Sequence, residues 1–404
     1  MRARLKPLHQ QVVVVTGASS GIGLATAELA AAAGAAVMLV ARDEDTLRSL
    51  RDRLRAAGQR AEYAVADVAR LDEVEAALAA TLEAFGGMDT WVNNAGVGVY
   101  ADLLEISRED HERMFETNYW GVVNGTQVAA RYLLRHGGGA IVNIGSVLSD
   151  LATTPLGAYS ASKHAVKGFT DAFRMEMIAR GAPLSITLVK PSSINSPWSD
   201  HARNYRNDRA RVPPVVYAPE TVARAVLFAA EHPRRDIVVG GGGAAMVAFA
   251  RLLPRTADRL YARLLPWLSF DRSRPAVPGD DLYAPAANGQ RSSDHRMVRR
   301  RSLHAAMQRH PLATWAAIAL AGTAVWLLLR HRRHRTAPAG LRARLAALPV
   351  IASTAALLKR GGGLVASGRH RGAAAFHRIA GRLNSGNHGW RARMQRGADA
   401  LRLH

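Results

Sequence analysis

Residues 12–23 read VVVVTGASSGIG. Four β-branched residues in succession suit a strand buried on both faces, and the glycines after them mark a tight turn into a helix. Glycine at positions 17, 21 and 23 lets the main chain approach a pyrophosphate closely. The helix that follows offers free N–H groups and the positive end of its dipole. Thr16, Ser19, Ser20 and Ile22 share the turn and are expected around the same ligand. Glycine at a strand–helix junction is also ordinary turn chemistry, so this stretch speaks to fold before function. The basic N-terminus ahead of it has the look of a signal peptide, but Val12–Val15 is too short for an apolar core of one.

The pattern repeats outward. AVMLVAR (36–42), AEYAVADV (61–68), DTWVNNAG (89–96), AIVNIGS (140–146), LSITLVKP (184–191) and DIVVGG (236–241) are further strand candidates. Amphipathic stretches lie between them, among them Gly23–Ala33, Glu44–Ala57 and Leu71–Phe85. Strand and helix alternating at this spacing predict an α/β fold, a Rossmann-type doubly wound parallel sheet over residues 1–243, with ligands at the strand ends. Residues 244–270 read as an amphipathic helical extension broken by Pro254 and Pro266. Residues 271–310, rich in Asp, Pro, Gly, Ser and Arg, read as a linker. A hydrophobic helix over 311–329 and a basic tail over 330–404 complete the expected organisation.

Chemistry gathers at the strand ends. NNAG closes the fourth strand, Ser146 the fifth, and Tyr159-x-x-x-Lys163 follows. With nine Tyr and five Lys in the chain, that spacing arises by chance in about one such sequence in ten. On a helix it puts both side chains on one face, so an ammonium can stabilise a phenolate and lower a pKa ordinarily near ~10. Reduction of a carbonyl needs such an acid for the developing alkoxide.

These motifs, in this order over residues 10–240, resemble the short-chain dehydrogenase/reductase superfamily. The resemblance rests on Thr16-Gly17-x3-Gly21-x-Gly23, Asp67, Asn93-Asn94-Ala95-Gly96, Asn118, Ser146, Tyr159 and Lys163. It implies a catalytic set in which Tyr159 is the acid–base and Ser146 orients the substrate oxygen. Lys163 also holds the nicotinamide ribose, and Asn118 supports a proton relay to it. It further implies cofactor contacts at Asp67 (to the adenine), Val68, Asn94, Ala95, Gly96, Pro191, Ile194 and Ser196. One position departs from the family: Ser192 follows Pro191 where glycine is usual. Loss of access to positive φ there predicts a different path for the loop.

Cofactor choice follows from the end of the second strand. Where the family's NAD-binding members carry an acid, this chain has Ala41 and then Arg42. A neutral residue leaves room for a 2′-phosphate and guanidinium pairs with phosphate, so NADP(H) is expected ahead of NAD(H). Ser20 stands where many NADP-dependent relatives carry a basic residue, which argues the other way. Residues 195–217 are expected to form the substrate loop, with Trp198, His201 and Tyr205 either lining a pocket or packing the loop onto its own body.

The formal net charge of +22 is concentrated at one end. Residues 291–404 hold 22 Lys and Arg against Asp294 and Asp399, leaving a net of only +2 for the preceding 290. There are no cysteines, which excludes disulfides and thiolate metal sites, and no metal site is expected. Leu312–Leu329 is eighteen residues without a charge, flanked by Trp315 and Trp326 near its ends and followed by RHRRHR. At 1.5 Å per residue it spans about 27 Å, enough for a thin hydrocarbon core. The weaker run at 345–358, with Pro349 inside, is too short for a second confident span. The basic tail suits anionic headgroups, and with no nucleic-acid motif and few aromatics it is a poor nucleic-acid reader.

The expectation is a membrane-held NADP(H)-dependent oxidoreductase interconverting a carbonyl and a secondary alcohol on a small, apolar or lipid-like substrate. Its catalytic part would be cytoplasmic, and the sequence leaves a homo-oligomer open. The alternative is a catalytically silent NADP-binding scaffold or sensor docked on membrane or nucleic acid by its tail; the filled Ser146/Tyr159/Lys163 set speaks against it.

Overall fold

The computed structural model describes residues 3–285, 289–295 and 297–309, together with Gly322, Thr323 and Trp326. The chain divides into two units, Met1–Ala316 and Ala317–His404, and the fold described lies in the first. Seven parallel strands form its sheet: β1 (Val12–Thr16), β2 (Ala36–Ala41), β3 (Ala61–Val65), β4 (Thr90–Asn93), β5 (Gly139–Ile144), β6 (Leu184–Pro191) and β7 (Asp236–Val239). Their spatial order is β7-β6-β5-β4-β1-β2-β3, so the chain winds outward from β1 in both directions. The crevice at the reversal, between β1 and β4, is where such sheets take ligands.

The valine-rich strands follow the period of two that a pleat imposes. Val13, Val15, Val37 and Leu39 face one layer, built from α1 (Gly21–Ala32), α2 (Glu44–Ala56) and the helix Pro219–Glu231. Val14, Met38, Val40 and Trp91 face the other, built from α3 (Leu71–Phe85), α4 (Gly121–Arg135) and α5 (Gly157–Ala179). Helix ends carry the expected chemistry: the Asp43 carboxylate caps α2 by accepting from Thr46 N, and Gly86 closes α3 at φ 73°.

One polar ladder runs through the second layer. Trp91 Nε1 donates to Asn93 Oδ1 at 2.7 Å, and Asn93 Nδ2 donates to Asn143 Oδ1 at 2.8 Å and to Thr126 Oγ1 at 3.0 Å. Asn143 Nδ2 continues to Thr170 Oγ1 at 3.0 Å. The ladder ties β4, β5, α4 and α5 together directly beneath the catalytic residues. Every member is buried, so a missing partner strands its neighbours.

Beyond β7 come two helices, Gly241–Leu252 and Pro254–Leu268, and a strand Phe270–Pro275 that pairs antiparallel with Asp208–Ala210 in the substrate loop. Val298–Arg299 pairs with Val216–Tyr217, and the helix Leu303–Arg309 packs on β7. The segment whose composition reads as a linker therefore lies along the Rossmann unit in its described parts. Among the described residues no helix is long and apolar enough to cross a membrane. The expected span at 311–329 and the tail at 330–404 fall outside them, apart from Gly322, Thr323 and Trp326.

Replacing Asn93 by Ala leaves the Trp91 indole N–H without its partner and the Asn143 side-chain oxygen with only Thr126 Oγ1 at 3.4 Å, so stability should fall by about 3 kcal/mol. The midpoint of urea unfolding measures this. A fall of under about 0.5 kcal/mol would mean the ladder is dispensable.

Candidate active site

The crevice begins with a knot of close contacts. Thr16 Oγ1 accepts from Asn94 N at 2.9 Å and Ala95 N at 3.1 Å, while Asn94 Nδ2 donates to Thr16 O at 2.9 Å and Gly17 O at 3.2 Å. A Cβ on Gly17, whose φ is 64°, would lie 2.8 Å from Ala95 Cα. One on Gly23 would overlap the Gly17 carbonyl. Only glycine lets the turn, the head of α1 and the NNAG loop meet.

A cavity of about 480 Å³ runs from this turn to Tyr159. Gly17, Ser19, Ser20, Gly21 and Ile22 line one end, with Arg42, Asp67 and Val68 beside them. Asn94, Ala95 and Gly96 form the middle, and Ser146, Tyr159, Lys163, Pro191, Ile194 and Ser196 the far end. Thr16, Gly23 and Asn118 stand behind the wall and shape it. The size and the glycine-walled approach fit a dinucleotide laid along the strand ends.

The candidate catalytic residues come from three elements. Ser146 follows β5, and its Oγ accepts from Leu148 N at 3.1 Å. Tyr159 and Lys163 rise from the first turns of α5. Asn118 sits in a π turn, Glu116–Trp120, between the helix Arg108–Phe115 and α4. That extra residue turns the fully buried Asn118 inward. Its Oδ1 accepts from Val97 N at 2.9 Å, and its Nδ2 donates to Val97 O at 3.0 Å and to Ser162 Oγ at 3.1 Å. Asn118 Oδ1 and Lys163 Nζ both flank Gly96, where a Cβ would lie 3.2 and 3.5 Å from them.

Burial dominates the electrostatics. It pushes the Tyr159 phenol well above its ordinary range, with the Ser146 hydrogen bond pulling the other way. It lowers Lys163 to about 8. Lys163 Nζ donates to Ile144 O at 3.1 Å and lies 5.7 Å from the centre of the Tyr159 ring. The lowering expected from Lys163 does not set the direction of the phenol's shift here: burial raises the phenol, and burial lowers Lys163 as well.

The substrate loop divides the residues proposed for it. Trp198 packs against Tyr159 with ring centres 4.9 Å apart and presses on Gly98, where no side chain would fit. His201 also lines the cavity. Tyr205 instead holds the loop to the body, donating to Asp110 Oδ2 at 2.8 Å and accepting from Ser107 N at 3.1 Å. Ser192 needs no positive φ, since among the described non-glycine residues only Val215 has one. Room for its side chain comes from across the crevice, where a Cβ on Gly240 or Gly243 would lie 2.5 or 2.6 Å from it.

Two parts of the site were not placed there by the sequence. Met246 and Leu265 reach the cavity from the two helices beyond β7, beside Leu148, Leu151 and Val212–Val215. Residues 280–285 and 289–291 lie along the Arg42 end of the cavity: Arg42 Nη1 donates to Tyr283 O at 3.2 Å and Nη2 to Asp281 O. Arg113 Nε donates to Leu282 O at 3.1 Å while its Nη2 pairs with Asp67. At the glycine-rich turn, Gly289 N donates to Ser19 O and Gly21 N to Gln290 O, both at 2.9 Å.

Known proteins share this architecture. A profile of the short chain dehydrogenase family matches residues 11–207. An uncharacterised oxidoreductase of Bacillus subtilis, YxnA, is 37% identical over 337 residues, covering 82% of this chain and 94% of that protein. A match that long extends beyond the Rossmann unit into the C-terminal extension. The crystal structure of a short-chain dehydrogenase/reductase from Burkholderia phymatum in complex with NAD is 30% identical, with a TM-score of 0.56. It covers 63% of this chain and 97% of its own. A gluconate 5-dehydrogenase from Burkholderia cenocepacia in complex with NADP and tartrate is 26% identical, with a TM-score of 0.50, covering 58% of this chain and 96% of its own. With fold, crevice and a filled Ser–Tyr–Lys set agreeing, this chain belongs to the short-chain dehydrogenase/reductase family, oxidoreductases working on the CH–OH/C=O couple with a nicotinamide dinucleotide.

Proposed function

We propose that the protein is an NADP(H)-dependent oxidoreductase that interconverts a carbonyl and a secondary alcohol on an apolar, lipid-like substrate at a membrane surface. The observation that carries the substrate class is an apolar part of the wall of the cavity that Tyr159 also lines. Leu148, Leu151, Trp198, Met246 and Leu265 make it apolar, and two of them come from the C-terminal extension. Arg42, lining the adenosine end next to Ala41, supports NADP(H).

The dinucleotide, when bound, supplies or accepts the hydride. The chain does the rest. Ser146 holds the substrate oxygen, and the Tyr159 phenol protonates that oxygen as charge develops on it. The Lys163 ammonium then stabilises the phenolate left behind, a role that strengthens as water is excluded. Asn118, fixed between Val97 and Ser162, holds the neighbouring polar path to Lys163 in register.

A membrane setting, with the Rossmann unit on the cytoplasmic side, is supported by the helix Pro254–Leu268. Leu253, Leu260, Leu264 and Trp267 follow at helical spacing and are exposed, Leu253 by 52% and Trp267 by 57%. Arg255, Arg259 and Arg263 occupy the neighbouring face. Leucine and tryptophan on one side and arginine on the next is the composition of helices that lie in a bilayer interface. Leu265, one position along, lines the substrate wall, and the uncharged run Leu312–Leu329 supports anchoring of the same chain.

Three outcomes test this reading. Tyr159→Phe should lower NADPH-dependent reduction of a panel of lipophilic ketones by about 10³-fold, with NADPH binding retained. No turnover by the parent protein across that panel counts against the reading. Because Lys163 is charged below about 8, kcat for reduction should fall as pH rises through that value and alcohol oxidation should rise. A flat profile from pH 7 to 9, on the order of one unit either side, would exclude Lys163 from that role. Finally, the chain has no cysteine, so Leu264→Cys accepts a single environment-sensitive dye. Its emission should shift to the blue with phosphatidylserine vesicles, while the same dye at Asp45→Cys should not respond.

A further inference from the structure

The segment crossing the adenosine end of the crevice is anchored at three separate places. Leu282 is fully buried in a cluster with Val97, Val99 and Met114, and its carbonyl accepts from Arg113. Gly289 and Gln290 bond to the glycine-rich turn. Asp280 pairs with Arg203 at 2.9 Å. Pinned on both sides, the chain between them has little freedom to turn Asp281 away.

The Asp281 main chain is committed as well. Its N–H donates to His201 O at 2.8 Å, and its carbonyl accepts from Arg42. The carboxylate lines the same cavity as Arg42, and its Oδ1 is buried with no hydrogen-bond partner among the described residues. Burial pushes this acid up to about 7 despite the attraction of Arg42, with Asp280 adding to the rise. A buried acceptor with nothing to accept from is costly unless a ligand satisfies it.

Arg42 is affected by the same segment. Its two Nη atoms donate to the carbonyls of residues 281–283, so part of its five-donor fork is already in use. The guanidinium is held in a fixed plane, with fewer donors left for a phosphate. A 2′-phosphate arriving there would gain from Arg42 and be repelled by Asp281 in its ionised form. A free 2′-hydroxyl would meet an orphaned acceptor to which it can donate.

We propose that Asp281, contributed by the chain beyond the Rossmann unit, is a cofactor-selecting residue that opposes the preference for a 2′-phosphate set by Arg42. The C-terminal extension thus reaches the dinucleotide as well as the substrate. This deepens the reading of the site as a dinucleotide-dependent oxidoreductase and rests on it.

The test is direct binding of NADPH and NADH to the full-length chain, read by nicotinamide fluorescence, for the parent protein, Asp281→Asn and Arg42→Ala. Asp281→Asn keeps the shape of the side chain and should raise the NADPH-to-NADH affinity ratio about tenfold. Arg42→Ala should lower that ratio. Unchanged melting temperature in Asp281→Asn, and the same direction of change in Asp281→Ala, would separate selection from damage to the fold. A ratio within about twofold of the parent in both Asp281 variants overturns the assignment. So does equal tightening of both dinucleotides, which would put the carboxylate over the pyrophosphate instead. Binding of neither dinucleotide by the parent would overturn the dinucleotide reading itself.

Discussion

The structure depends on one close approach: the carbonyl of Gly17 against the backbone of Gly23, with the Asn94 amide bridging Thr16 and Gly17. Any side chain at Gly23 would occupy the space of that carbonyl. This contact brings the end of β1, the head of α1 and the NNAG loop within reach of one ligand. It also fixes where the helix dipole points. From there the crevice can only continue along the strand ends, toward Ser146 and Tyr159. The rest of the site inherits its position from this knot.

At the other end, the energetic theme is desolvation. Tyr159 and Lys163 are both enclosed, and enclosure penalises whichever of them carries charge. Burial raises the phenol and lowers the lysine to about 8, so in this enclosure the phenol holds its proton the more firmly of the two. Neighbouring groups are held just as firmly: the π turn carrying Asn118 and the Asn93–Asn143 ladder leave the catalytic face few ways to relax.

The chain beyond β7 changes what the Rossmann unit can do. Two helices supply Met246 and Leu265 to the substrate wall, and the following segment lays carbonyls on Arg42 and a carboxylate beside it. On the proposed reading, a shared scaffold takes its selectivity from a part of the chain that carries none of the family's motifs. The length of the match to the Bacillus subtilis oxidoreductase places a shared extension in that relative as well.

Much of the fold was legible in the residues. Val12–Val15, Val37–Val40 and Ile141–Val142 are apolar on both faces, which a parallel sheet requires, and the alternating helices order its strands. Tyr159 and Lys163 declare themselves by spacing, because four residues along a helix is a physical distance. What the spacing could not convey was the balance between them: attraction predicts a lowered phenol, whereas burial, a property of the whole enclosure, raises it. Ser192 is similar. Its departure from glycine suggested a rerouted loop, but the compensation lies at Gly240 and Gly243, about fifty residues away. Asp281 carried no signal at all, sitting in a Pro- and Gly-rich stretch without periodicity. Periodicity and motif spacing report local geometry, so the sequence by itself determined the elements, their order and the catalytic dyad. Burial and contacts between distant segments exist only once the chain is folded, so the tertiary structure alone decided the enclosure of Tyr159 and Lys163, the apolar cavity wall and the carboxylate beside Arg42.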